Sequence, residues 1–298
     1  MELMKGIGIL VVLFFGMVVV LRSGFGHAEA TDVSEDTPSY HTATIKEERP
    51  LNDKGSVTVI NKNGAIRITA WDKPSVAIVA HKEVGIPGIR KLFRLGRKEA
   101  PPSKALDTIQ VEVTGDERTL RIETKYLRAR WKLTRTVRYE IRVPKTATLD
   151  LRTSNGSVEV ANVLGDVSLT SSNGKLACEN VRGAIKAETS NGNISCLNVG
   201  GPVDAKTLNG SIQLEHAGSL SDADAITCKT TNGSITAAFP SGSAFDLEAK
   251  TTLGSITTDF PIAVSGKLAK KSVIGAVGDG GPTVRLMTTN GKIRILKI

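Results

Sequence analysis

Histidines, cysteines and carboxylates are the side chains through which this 298-residue chain could do chemistry. Beyond the first 30 residues there are only His41, His81 and His216, scattered too widely for a metal site built from three or four converging ligands. His216 falls at a corner position of the repeat described below, where hydrogen bonding is the expected role. The chain has neither a Gly-x-Ser-x-Gly nucleophile elbow nor a His-Glu-x-x-His pair. The glycine-rich run Gly275–Gly281 lacks the Lys-Ser/Thr of a phosphate loop. Glycoside hydrolysis needs two carboxyls converging on one bond. Here Glu159, Asp166, Glu179, Glu188 and Asp204 alternate with Lys and Ser at exposed positions and form no row. Cys178 and Cys196 occupy the same inward position one repeat apart, with Cys228 in the opposite strand row. Small buried hydrophobes are the expected role of all three. A bond between Cys178 and Cys196 stays open, although parallel in-register neighbours offer it poor geometry. The reading is of a protein that is not an enzyme, with no catalytic, cofactor-binding or metal-binding residue. The alternative is a carbohydrate-active enzyme on a parallel β-helix, which the shape alone would permit.

Charge is the second resource. Residues 81–147 carry 17 Lys and Arg against 8 Asp and Glu, whereas residues 148–298 carry 14 against 13. Two clusters dominate. Arg90, Lys91, Arg94, Arg97 and Lys98 interleave with Ile89, Leu92 and Phe93, and Arg128, Arg130, Lys132, Arg135 and Arg138 lie around Trp131. Cations set among apolar residues suit an anionic surface, and such clusters also serve as solvated loops. Candidate partners are anionic lipid, lipopolysaccharide, wall polysaccharide or another envelope protein. Nucleic acid is not expected, because the chain reads as exported and carries no recognised binding motif.

These side chains must be positioned by a repeat. Asn-Gly recurs at Asn155, Asn173, Asn191 and Asn209 in a strict 18-residue step, then at Asn232 and Asn290, with an upstream copy at Asn63 and a variant, Leu253-Gly254. A fixed period marks a stack of small units. Apolar residues alternate on both sides of each Asn-Gly, which is strand periodicity. Aligned copies give inward rows such as Val158, Leu176, Ile194 and Ile212. Asn-Gly also suits hairpins, so an antiparallel meander competes. The constant period favours an all-β, parallel two-sheet β-solenoid of ~18-residue coils, preceded by an irregular β region, because only in a parallel stack do equivalent residues become neighbours. Asn162, Asn180 and Asn198 could then bond amide to amide at the second corner, and Asn and Gly suit corners through their tolerance of positive φ. The positions after Asn-Gly (Ser157, Lys175, Asn193, Ser211, Ser234) hold no carboxylate row for calcium.

The expected organisation is residues 1–30 as a signal peptide or N-terminal anchor, 31–50 as a flexible polar lead-in, 51–147 as an N-terminal β region with a basic insertion, and 148–298 as the solenoid. The apolar run Ile7–Leu21 follows Lys5 and precedes Ala28-Glu29-Ala30, a small-residue cleavage pattern. It falls short of the roughly 20 residues a spanning helix needs. The location expected is extracytoplasmic, either released or anchored through residues 7–21.

The order of these words is also familiar. Leu120-Arg121-Ile122-Glu123-Thr124-Lys125, then Tyr139-Glu140-Ile141-Arg142-Val143-Pro144, then the Thr/Ser-x-Asn-Gly-x-Ile repeats, resemble a bacterial domain-of-unknown-function family usually labelled "putative adhesin". The resemblance covers about residues 55–298. It implies a β-solenoid-like domain, often exported or membrane-associated, with a binding role and no established catalytic residues. The basic insertion around Ile86–Pro102 departs from the family pattern.

Overall fold

Each alternating segment before an Asn-Gly becomes a strand of one sheet, and each segment after it a strand of a second. The computed structural model describes residues 11–14, 17–20, 39–86, 102–129, 133–218, 220–221, 224–264 and 271–298. Val11–Phe14 and Met17–Val20 pair antiparallel as a small separate sheet. The rest forms a first sheet of 12 strands and a second of 11. Nine strands of each run parallel and in step, making nine coils. At about 4.8 Å per strand the stack is roughly 40 Å long.

Register is strict. Val158 faces Leu176, Leu176 faces Ile194, and Ile194 faces Ile212. In the first sheet Leu149, Val167, Ile185 and Val203 form the matching row. All are buried, and each large aliphatic side chain so removed from water contributes about 1.5–3 kcal/mol. The strands flanking Asn173-Gly174 lie in different sheets, so the meander is excluded.

The four-residue word has a distinct job at each letter. The Thr or Ser two places before Asn points inward and donates its hydroxyl to the corner carbonyl of the coil below. Ser171 reaches Gly156 O at 3.1 Å, Thr207 reaches Gly192 O at 3.0 Å, and Thr288 reaches Gly233 O at 2.8 Å. The Asn side chains form a ladder, each Nδ2 donating to the Oδ1 of the rung before, from Asn155 on Asn63 through to Asn290 on Asn232. The glycine is required by close approach. A Cβ on Gly174 would lie 1.9 Å from Gly156 O, and one on Gly192 2.0 Å from Gly174 O. This corrects the expectation of positive φ at these glycines, since only Gly64, at 118°, lies well inside that region. Positive φ belongs to the second corner, at Asn162 (63°), Asn180 (55°) and Asn198 (50°). There the expected amide ladder is present, Asn180 Nδ2 donating to Asn162 Oδ1 at 3.0 Å and Asn198 Nδ2 to Asn180 Oδ1.

Chain order and stack order differ at both ends. The coil at Asn63 (Ser56–Ile60, Ile66–Trp71) sits directly against the coil at Asn155, while Thr119–Tyr126 and Thr134–Pro144 form the coil outside it. At the other end Thr283–Asn290 and Ile293–Lys297 are threaded between the Asn232 coil and the Leu253 coil. Leucine offers no amide, so the Leu253 coil stands where the ladder stops. Phe239, Phe245 and Phe260 close the core there, with ring centroids 4.9 and 5.6 Å apart.

The described part of the polar stretch expected as a flexible lead-in is a strand. Ser39–Pro50 is an edge strand of the second sheet, antiparallel to Ser75–Ile86 over its whole length. Its backbone pairing holds it, and its inward positions include His41 and Glu47, which disguised it as a tail. At the hairpin Thr114–Glu117, Asp116 Oδ1 accepts from the amides of Arg118 and Thr119, and those bonds hold its carboxyl below the usual range.

Gly192→Ala should lose roughly 3 kcal/mol of stability, because the clash is with backbone that cannot swing away. Gly242→Ala, with nothing within 4 Å of the new carbon, should stay within about 0.5 kcal/mol. Chemical denaturation of the two variants beside the parent measures both.

Candidate functional site on the outer face of the first sheet

With one side of each strand committed to the core, the other side is free to vary, and on the first sheet it forms a trough. Two adjoining hollows of about 490 and 800 Å³ share Lys206. Together they run over the strands Thr148–Asn155, Val167–Asn173, Ile185–Asn191, Val203–Asn209, Ile226–Asn232 and Thr283–Asn290. The floor near the Asn-Gly corner is hydroxyl-rich (Thr170, Ser172, Ser190, Thr231) with one apolar projection, Leu208, 56% exposed. Nearer the second corner it carries Asp150, Lys186, Asp204 and Arg285.

Each carboxylate here has a cationic or amide partner, although Asp204 Oδ1 is buried without one of its own. Asp204 Oδ2 accepts from Lys206 Nζ at 2.6 Å, and that bond raises the lysine's pKa. Lys186 lies 3.6 Å from Glu188, and Arg152 pairs with Asp150 at 2.7 Å. Asp166 Oδ1 accepts from the Ala184 amide at 2.9 Å. Beyond the trough, Lys250 and then Arg285 hold Glu248 below its ordinary range. On the second sheet's outer face Glu159 pairs with Arg67 at 3.0 Å. Lys229 stands beside Lys206 on the next strand with no acidic partner among the described residues. The trough can therefore meet hydroxyls and an anionic group, and holds no free carboxyl pair to move a proton. Sequence reading missed this face. Its signal was present in register, since Ser168, Lys186 and Asp204 fall at the same place in successive repeats.

Of the sequence candidates for an anionic surface, Arg128 is described and exposed. Arg90, Lys91, Arg94, Arg97, Lys98, Arg130 and Lys132 lie outside the described residues. His216 is buried, pairs with Val199 rather than with an asparagine rung, and bonds through Nδ1 to Gly218 O at 2.8 Å. No cluster of three metal-ligating side chains occurs among the described residues. Cys178, Cys196 and Cys228 are free and buried. Contact with Cys196 and burial push the Cys178 thiol up, and burial does the same to Cys228. A thiol held protonated is a poor nucleophile. A thiol-reactive chromophore should label none of the three in the folded protein and all three in denaturant, and labelling of the native protein would contradict this packing.

The Toastrack DUF4097 family model matches residues 101–296. No curated protein matches the chain. Among solved structures, a "putative adhesin" from Bacteroides fragilis shares 14% identity over 86% of this chain and 97% of its own, with a TM-score of 0.38. A "putative cell adhesion protein" from Clostridium sporogenes shares 8% identity over 88% of this chain and 100% of its own, with a TM-score of 0.32. At these values the neighbours say nothing of what this trough binds. The family match does bear on the chain itself: with its Asn-Gly repeats and two parallel-rich sheets, it belongs to the Toastrack DUF4097 family.

Proposed function

We propose that the protein is a non-catalytic, exported binding protein of the cell envelope, adhesin-like in engaging an extended partner along its solenoid faces. The observation that carries this reading is the trough, which crosses six coils of the first sheet spaced about 4.8 Å apart and offers several hydroxyls and Lys229. A stack held by interior rows and corner ladders presents such a surface pre-ordered, so little freedom is lost on binding. The ion-paired state of the acids favours binding over the alternative of glycoside hydrolysis. The apolar leader and its cleavage pattern support export.

A second reading is favoured by a separate observation. Gly85 pairs with Thr134, and Leu127 N donates to Thr108 O. Lys82 Nζ donates to Ile109 O at 2.7 Å, and Arg135 donates to Leu127 O at 2.6 Å while lying over the Tyr126 ring. The described residues flanking the two basic clusters thus meet at one end of the stack. Ten or so cations rooted there would supply an oriented field toward anionic lipid or wall polymer, at roughly 1 kcal/mol per cation near an anionic membrane surface.

A glycan and lipid array on the chain from Thr31 tests both. Under the first reading a glycan or envelope polymer is retained, Lys229→Glu with Leu208→Asp lowers binding at least tenfold, and no new reducing ends appear. Retention unchanged by that double variant would remove the trough as the binding face. Hydrolysis abolished by one Asp or Glu substitution would replace the reading with the enzymatic one. Under the second, anionic vesicles bind at low salt and release as ionic strength rises, and changing Arg90, Lys91, Arg94, Arg97 and Lys98 to Gln abolishes binding. Equal binding by variant and parent would leave those residues as a solvated loop.

A further inference from the structure

Asn-Gly is the dipeptide in which asparagine most readily loses its amide, because glycine leaves the following nitrogen unhindered. That nitrogen attacks Asn Cγ, and a C–N bond forms as the Cγ–Nδ2 bond breaks. Its proton departs with the leaving ammonia. Water then opens the imide to aspartate or isoaspartate. The chain carries seven such dipeptides, at Asn63, Asn155, Asn173, Asn191, Asn209, Asn232 and Asn290, and all seven stand in one ladder.

The ladder engages both reacting groups. Each of the seven Asn-Gly glycines donates its N–H to the backbone carbonyl of the next coil at 2.8–3.0 Å, from Gly64 on Asn155 O to Gly291 on Leu253 O. The side-chain amides are tied to one another at 2.7–2.9 Å. An interior rung both gives and receives a ladder bond, so its Cγ cannot turn toward its own glycine without breaking two. The end rungs are held less. Asn63 receives from Asn155 but reaches only Arg135 O, at 3.4 Å. Asn290 gives to Asn232, and its other neighbour is Leu253, which has no amide to offer.

We infer that the folded stack shields its interior Asn-Gly sites from deamidation and leaves Asn63 and Asn290 as the two sites of spontaneous modification in the native protein. An opened coil exposes the interior sites, and the change is then permanent. An aspartate rung has no N–H to give, so it turns a carboxylate toward the neighbour's amide oxygen and the ladder cannot re-form there. Deamidation thereby records unfolding in the covalent structure of the chain.

Peptide mapping by mass spectrometry after incubation in mildly alkaline buffer, with and without concentrated urea, decides the matter. Asn155, Asn173, Asn191, Asn209 and Asn232 should convert at least about tenfold more slowly in the folded protein than in urea, as expected of groups reached only through opening. Native conversion should begin at Asn290 and Asn63. Leu253→Asn is the sharper probe, because Gly254 already follows it and the residue is 64% exposed. It adds a rung, so Asn290 should slow several-fold and the added rung should become the reactive end. Interior rungs converting equally fast with and without urea would overturn the inference, as would an unchanged Asn290 rate in folded L253N. Should L253N fail to fold, the order of conversion along the parent ladder decides alone.

Discussion

Everything in this molecule depends on how closely successive Asn-Gly corners approach. The carbonyl of one corner glycine lies about where the Cβ of the next would be, so no other residue fits and no other register is available. A one-residue slip would set a side chain against that carbonyl and turn each inward row to water. The same closeness brings the asparagine amides within bonding distance and lets the inward Thr or Ser reach the corner carbonyl below. Hydroxyl, amide and missing side chain are three answers to a single contact. They also account for the composition, since two sheets joined by such tight corners enclose aliphatic rows and leave few places for rings.

This constraint was legible in the chain wherever it repeats. The parallel pairing, the inward rows and the second asparagine ladder all follow from aligning copies on Asn-Gly. What was not legible lies where local pattern and spatial neighbour part company. Ser39–Pro50 is held by backbone pairing at an edge, and its half-buried side carries too few apolar residues to announce a strand. The placing of Thr283–Lys297 was hidden because stacking order is not written in sequence spacing, although the lost asparagine at Leu253 was a clue to where the ladder stops. The glycines were rightly placed at corners for the wrong reason: φ is a local property, whereas the deciding contact is with another coil. The trough escaped notice for the same cause, being a property of six strands side by side.

Frame and outer surface are thereby written in different letters of one repeat. Inward residues and corner residues fix the stack, and the outward positions carry almost none of that burden. In the first sheet those positions range over Asp150, Ser168, Lys186, Asp204, Thr227 and Arg285 along a single row. Such a surface can be rewritten strand by strand without disturbing what holds it up. Membership of the Toastrack DUF4097 family is consequently a statement about the frame.

The crossed order of the coils near the C-terminal end has a temporal side. Thr283–Lys297 lies between coils that precede it in the chain. Phe245–Leu253 therefore has no parallel neighbour in its own sheet until a segment some forty residues later has arrived. A chain emerging vectorially from a pore could stack its early coils one upon another as they appear, but would have to hold this one in reserve. The assembly thus has a late committed step, the wedging of one coil between two others, which must wait for Thr283–Lys297 to arrive. An unwedged chain would present two bare strand edges, and such edges invite pairing with another chain. The interval before that wedge closes is when the protein is most exposed to its own copies.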